Sequence, residues 1–483
     1  MLDRAGAILR HQVPGNEWAR LRPPPGATWT PHRRVSVCIP ARATGQTLHR
    51  TLSALALQTY PADLIEVIVA DDSSAPPLDV SESDVPFTVT VLRQDADGFA
   101  AGRARALAAS AAAGEVLVFL DVDVVPSRSV IESYLRWFER CDAVVPFGFL
   151  SFVDMTAMSE AELEVAIRDH DLAAFDRLGR VDDQHWRERT FGETADLQHE
   201  SSDMFRTLVG ASLAVSAEQY ASVGGFCDLG VRGIEDIEFG YRLQNNGALL
   251  IPDRGALHWH QGGRTMSGDR VAAIRQGRAP FADALLPIGR FRGARPAAGS
   301  PVPVVPRLLV HVDPGVVDAD VLADQIRLAD GADVEVRIGV PDDSFVTAFA
   351  QVALTAPMIW QPGVAAAITL QLVERNLGTL LIVGVAAAPV LEVIRTRAIR
   401  AERRGDASTL ISRKLFPVGV ADASKVRLVP EKNGPLTSLT SLASLVRVQS
   451  IRHCLDGVVA VLRARLQLAQ RRPRPPESER STS

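Results

Sequence analysis

Short apolar runs alternate with amphipathic stretches through the first part of the chain. Val35-Ser-Val-Cys-Ile-Pro40 reads as a short buried strand, and Leu48, Leu52 and Leu55 then recur at helical spacing. Strand-like runs follow at Ile65 to Ala70 and Phe87 to Leu92. After them come a helix of small residues from about Ala101 to Ala113 and a strand from Val116 to Leu120. This alternation predicts a parallel sheet covered by helices. Residues 151–206 are richer in charge and less periodic, which suits helices and a flexible loop carrying Trp186. Ala248 to Ile251 reads as a short strand followed by a turn.

Punctuation divides the chain. Residues 1–34 end in Pro23-Pro24-Pro25-Gly26 and read as an arm that leans on the body or stays mobile. The main α/β domain is expected over 35–293, and Ala294 to Pro306, rich in Pro, Ala and Gly, reads as a linker. A smaller α/β domain is expected over 307–470. It has strands at Arg307 to Val312 and Val334 to Val340, a helix from Val316 to Ala329, and Gly378 to Val385 leading into a helix through Arg395. Its strand, helix, strand and acidic turn (Pro341-Asp342-Asp343-Ser344) echo residues 35–74, as a degenerate copy of the first domain would. Residues 471–483, polar and rich in Pro and Ser, read as a disordered tail.

Composition narrows the function classes. With 483 residues, 47% hydrophobic and 23% charged, the chain is that of a globular protein able to bury its own cores. A net charge of −5 argues against a general nucleic-acid binder. The excess of arginine over lysine, with abundant alanine, is read as the mark of a GC-rich genome. Cys38, Cys141, Cys227 and Cys454 are far apart and indicate neither a zinc knuckle nor a disulfide framework. The first 34 residues hold no apolar run of signal-peptide length and the apolar stretches elsewhere are strand-sized, so no membrane span is expected and the default address is the cytoplasm.

In open sheets of this kind ligands bind outside the carboxyl ends of the strands, where Asp71-Asp72 and Asp121-Val-Asp123 are both expected. Asp121 and Asp123, two residues apart after an apolar strand, have the spacing for a shared cation. Taken alone, such a pair is also an ordinary turn. Asp72 can accept the ring N–H of a uracil-like base or cap a turn. Gly98-Phe-Ala-Ala-Gly102-Arg103-Ala-Arg105 opens a helix suited to approach a nucleotide, and a solvated arginine pair fits as well. Glu235-Asp236 begins a helix after glycines at 230 and 233, an acidic start that the helix dipole favours in any case. Glu238 and Arg242 read as an i, i+4 surface pair with no chemistry. His258 and His260 are both candidates for a metal ligand.

In this order, Asp72, the Gly-Arg helix, Asp121-x-Asp123, Gly224-Gly225-Phe226, Glu235-Asp236 and His260-Gln261 resemble the family 2 glycosyltransferases with the GT-A fold. Over roughly residues 33–265 the set is similar to the chondroitin-polymerase and polypeptide N-acetylgalactosaminyltransferase branch. The resemblance implies an α/β fold with a GT-A, Rossmann-like, mostly parallel sheet, and an inverting, metal-dependent transfer from a nucleotide-diphosphate sugar, a UDP-sugar, to an acceptor hydroxyl on a carbohydrate or glycoconjugate. It puts Asp72 and Arg103 near the base, Asp121 near ribose and metal, Asp123 and His260 on Mn²⁺ or Mg²⁺, and Asp236 as general base with Glu235 helping to hold a sugar. The family's His-Gln pattern favours His260 over His258. Arg232-Gly233-Ile234 replaces the usual Trp-Gly-Gly, and a bulky Ile234 is expected to reshape the acceptor pocket. A sugar nucleotidyltransferase and a non-catalytic scaffold retaining the fold are the alternatives. The former lacks its usual Gly-rich, lysine-containing phosphate loop. The donor sugar, the acceptor and the oligomeric state are not specified.

Overall fold

The computed structural model describes residues 13–398, apart from 43–44, 81–83, 96–97, 183, 264–269, 294–298, 300, 317, 340–346, 355–359, 361, 375, 378 and 384–388, together with 418–422. The acidic turn expected at Pro341 to Ser344 and the tail expected at 471–483 lie outside the described residues. The first sheet begins with β1 (Val35–Ala41), β2 (Ile65–Asp72), β3 (Thr88–Gln94) and β4 (Val116–Leu120), parallel and in the order β3-β2-β1-β4. Every residue of β1 and β4 is buried, as continuous apolar runs require when both faces of a parallel strand are covered. Leu48, Leu52 and Leu55 of α1 (Gly45–Ala56) point inward. The small residues Ala104 and Ala108 let α2 (Ala101–Ser110) lie close on the other face. Parallel strands present their carboxyl ends at one edge, so Asp72 after β2 and Asp121 after β4 arrive on the same rim.

The sheet continues as β8 (Ser212–Ser216), antiparallel to β4, then β6 (Val144–Val153), β9 (Leu249–Gln261) and β5 (Val124–Pro126), with β7 (Arg180–Asp182) beside β6. Pairing is thus parallel in the first half and mixed in the second. Between these strands run α3 (Val130–Phe138), α4 (Glu160–Arg168), α5 (Leu172–Asp176), α6 (His185–Glu193), α7 (Ala217–Ser222), α8 (Glu235–Asn245) and α9 (Arg270–Leu285). Helices α4 to α6 occupy the charged region where helices were expected. The short strand and turn expected at 248–251 are instead one long strand. In β9, Pro252 pairs with Phe147 and Leu257 with Phe149, so the polar residues between them bulge while the ladder continues. Asp253 anchors that bulge to α3 by accepting from Ser133 Oγ at 2.7 Å and Trp137 Nε1 at 2.9 Å.

A second sheet has the order β11-β10-β12-β14-β13-β15, formed by β10 (Leu308–Val312), β11 (Val334–Ile338), β12 (Ala350–Leu354), β13 (Thr379–Val383), β14 (Pro389–Arg395) and β15 (Val418–Asp422), with α10 (Ala319–Asp330) and α11 (Val364–Glu374). The helix expected to run through Arg395 is β14, antiparallel to both β12 and β13. Its Val and Ile residues are stiff at χ1 and suit a half-buried pleat, and pairing on two sides overrides local helical preference.

The second sheet is keyed to the first through α8. Tyr241 Oη donates to Thr347 O at 2.7 Å, and Asn245 Nδ2 to Ala348 O at 3.1 Å. Arg397, 2% exposed, donates to Gln244 O at 2.9 Å, Ala248 O at 2.7 Å and Glu200 Oε1 at 2.8 Å. One apolar core holds Phe205, Phe239 and Leu286 together with Leu308, Phe349 and Val393. Arg397→Met is expected to lower the unfolding free energy by about 3 kcal/mol in urea titration, because two carbonyls and much of a carboxylate's pairing are left buried without their donor. An unchanged midpoint would mean the two sheets are held by apolar contact alone.

Candidate functional site

Of the two carboxylates ending β2, Asp71 turns inward. Burial pushes its carboxyl up, but N–H donors at Ser74 (2.8 Å) and Leu78 (3.2 Å) and the Arg93 guanidinium (2.6 Å) hold it below the usual range. Asp72 ends the strand at the carboxyl rim of the sheet, where Oδ1 accepts from Gln94 Nε2 at 2.9 Å. Arg103 is partly exposed, donating to Asp95 O at 2.8 Å and lying 3.9 Å from Asp228.

The arginine that reaches the centre is Arg105, which sequence reasoning did not single out. Its Nη2 donates to Asp121 Oδ1 at 2.8 Å and its Nη1 lies 3.4 Å from Glu235 Oε1, tying the end of β4 to the start of α8. A signal was available: residues two apart on a helix project in different directions, so Arg103 and Arg105 do not form one solvated pair. Gly210 makes room for Arg105, since a Cβ there would come 2.7 Å from the guanidinium carbon.

Asp121 and Asp123, read as partners on one cation, face different groups. Asp121 faces Arg105, and Asp123 Oδ2 lies 3.3 Å from His260 Nε2. Burial pushes the Asp123 carboxyl above its usual range, with His260 opposing the shift and Asp121 adding to it. His260, paired opposite Val124, is held by Nδ1 at 3.1 Å from Gly262 O. A carbonyl accepts only, so Nδ1 carries a proton, and Nε2, which faces Asp123, is the nitrogen whose lone pair the neutral ring would offer to a metal. That is the tautomer a metal-ligating histidine needs. No group of three or more His, Cys, Asp or Glu that could hold a metal ion converges among the described residues.

His258 sits deeper. Its Nδ1 donates to Ala256 O at 3.2 Å, and Nε2 therefore accepts from Ser212 Oγ at 2.6 Å. Burial pushes its pKa down to about 3, so the ring is neutral and part of the core.

Helix α8 starts after Gly230 (φ 66°) and Gly233 (φ 77°), left-handed positions that glycine adopts freely. Glu235 accepts from Gly233 N at 3.0 Å and Ile234 N at 3.1 Å through Oε2, which leaves Oε1 for Arg105. Asp236 lines a cavity of about 580 Å³ that Asp121, His260, Phe152 and Trp186 also line; Asp72, Arg103, Asp123 and Glu235 do not. Its pKa is pushed up to about 7, by burial first and by Glu235 next, against the pull of Arg105. Two expectations need correcting here. Ile234 is 1% exposed in the core, so it does not shape the cavity; Gly233 and Ile237 do. Glu238 and Arg242 form a buried pair at 2.5 Å, because Arg242 Nη1 also caps Val223 O inside the core.

Residues 36–196 match the family Glycosyl transferase family 2, so the chain carries a glycosyltransferase domain of that family. Among curated relatives, chondroitin synthase of Escherichia coli is 27% identical over 254 residues, covering 49% of this chain and 36% of that protein. Validoxylamine A glucosyltransferase of Streptomyces hygroscopicus subsp. limoneus is 30% identical over 247 residues, 49% of this chain and 53% of that protein. The chain thus spans about a third to a half of these relatives. A solved structure, mannosyltransferase PcManGT from Pyrobaculum calidifontis in complex with GDP-Man and Mn2+, aligns with a TM-score of 0.36 at 18% identity, covering 57% of this chain and 69% of that one. No helix among the described residues is long and apolar enough to cross a membrane.

Proposed function

We propose that the chain transfers a sugar, with inversion, from a nucleoside-diphosphate sugar, a UDP-sugar, to a hydroxyl of a carbohydrate or glycoconjugate, using a divalent cation. The observation that carries this reading is His260, whose Nε2 lies 3.3 Å from Asp123 Oδ2 and which lines the cavity together with Asp236, whose pKa is pushed up to about 7. Asp123 and His260 would hold Mn²⁺ or Mg²⁺, with Asp121 beside them. Such ions bind through one or two protein ligands plus substrate phosphates, which suits Asp123 and His260 as a pair. When bound, the ion offsets charge developing on the departing diphosphate.

The rest falls to the chain's own residues. Asp72 accepts from the base of the nucleotide. Arg105 fixes Asp121 and Glu235 relative to each other, and Asp236 takes the proton from the acceptor hydroxyl as that oxygen attacks the anomeric carbon. A carboxylate with pKa near neutrality is a far better proton acceptor than an ordinary surface aspartate.

The test is a thermal-shift panel of nucleotide sugars with and without Mn²⁺. At 100 Kd a bound donor adds about 2.7 kcal/mol of stability. A UDP-sugar is expected to raise Tm further in the presence of the ion than without it, and His260→Ala is expected to abolish the metal-dependent part. His258→Ala should instead lower Tm without ligand and keep the metal dependence. Equal shifts with and without Mn²⁺ would remove the metal from the reading.

A further inference from the structure

The cavity that receives Asp236 also receives four guanidinium groups, from Arg206, Arg275, Arg278 and Arg290, beside the rings of Trp186 and Phe291. Their counter-charge is incomplete. Arg206 Nε and Arg290 Nη1 both lie 3.1 Å from the same Asp203 Oδ2, so one carboxylate faces two cations. Arg278 Nη1 donates to a neutral carbonyl, Gly233 O, at 2.6 Å. Burial holds the Arg206 guanidinium below the usual arginine range despite Asp203, and Arg290 adds to the shift. Burial does the same at Arg278, with Asp236 opposing and Arg275 adding. Cations crowded in this way around an open cavity repel one another, and an incoming anion relieves that repulsion.

The geometry also suits a sugar. The Arg206 guanidinium lies 5.2 Å over the ring of Trp186, which stays 36% exposed. A guanidinium has five N–H donors. Besides Asp203, Arg206 binds Thr190 Oγ1 at 2.9 Å, so both arginines keep donors for a ligand. A partly exposed indole beside a guanidinium pair offers an apolar surface to a pyranose ring and forked donors to an oxyanion.

We propose that the acceptor is a glycoside bearing an oxyanion, a carboxylate or a phosphate ester, held by Arg206 and Arg290 with Trp186 supporting its ring. This rests on the transferase reading above. There the donor diphosphate goes with the cation beside His260 and Asp123, so the Arg206–Arg290 pair is left for the acceptor.

The experiment uses the full chain with saturating UDP and Mn²⁺. It measures binding of methyl β-D-glucuronide, methyl β-D-glucoside 6-phosphate and neutral methyl β-D-glucoside by calorimetry and saturation-transfer NMR. At least one charged glycoside is expected to bind about tenfold or more tighter than the neutral one, and whichever charged form binds better identifies the source of the oxyanion. Arg290→Gln, at an exposed position where folding is little affected, and Arg206→Gln should each remove most of that preference and leave UDP affinity unchanged. Equal binding of the three glycosides would overturn the proposal alone. So would variants that weaken UDP instead, since they would assign the arginines to the diphosphate. Failure of UDP to bind with Mn²⁺ would remove the transferase reading and this inference with it.

Discussion

Asp236→Asn is expected to lower kcat by about 10²–10⁴-fold while leaving UDP affinity in Mn²⁺ nearly unchanged, the usual range for losing a positioned proton acceptor. Asparagine keeps the shape, and its amide oxygen can still accept from Ile237 N as Asp236 Oδ1 does at 2.8 Å. In the parent protein kcat/KM should rise with pH along a limb centred near the raised pKa of about 7, because the base acts only when ionised. In the variant that limb should vanish. Near-normal turnover in Asp236→Asn, measured once an acceptor is found, would take Asp236 out of the mechanism.

Stability should move in the opposite direction. A carboxyl whose folded pKa lies above its unfolded value is protonated in both states at low pH. As pH rises through the unfolded pKa near 3.8 towards about 7, the unfolded chain ionises first, so the folded state loses relative stability across that window and keeps the penalty above it. Removing the charge removes the penalty. Asp236→Asn should therefore melt at or above the parent temperature at pH 8, by about 1 °C for each kcal/mol relieved in a chain of this length. A supporting residue would show the reverse pattern, with lower Tm and persistent activity.

The first half of the sheet was legible because β1, β2 and β4 are unbroken apolar runs between helices with clear inward stripes. The second half was harder. Pro252 to Gly255 has turn composition, and only the pairing of β9 with β6 on both sides of the bulge keeps the strand going. The same holds for β14, which is kept a strand by pairing with β13 just before it and with β12 farther back in sequence. The order of acidic residues and His260 came through the family resemblance, but the roles of two neighbours did not. Arg105 is distinguished from Arg103 by the direction it takes off α2, and the inward turn of Asp71 depends on amides at Ser74 and Leu78. The arginines of the cavity were hidden by composition. In a chain so rich in arginine no single one stands out until folding brings Arg206, Arg278 and Arg290 from separate elements to one wall.

Asp123→Ala is expected to abolish the dependence of UDP affinity on Mn²⁺, a loss of about 100-fold or more at saturating metal, since altering even a supporting partner of a metal ligand costs 10–100-fold. The fold should survive. The Asp123 side chain is 34% exposed, and the local backbone bond, Gln261 N to Asp123 O at 2.8 Å, does not need its carboxylate. Burial already disfavours its charged form, so its removal also relieves a folded-state cost. Affinity for UDP without metal should be unchanged, because Asp72 and the rim of β2 are untouched. The decisive pair of measurements is therefore calorimetry of UDP with and without Mn²⁺ in parent and variant. A variant that keeps the parent's metal dependence would show that the cation, if used, is held elsewhere, whereas loss of metal dependence with intact metal-free affinity would place it on Asp123 and His260.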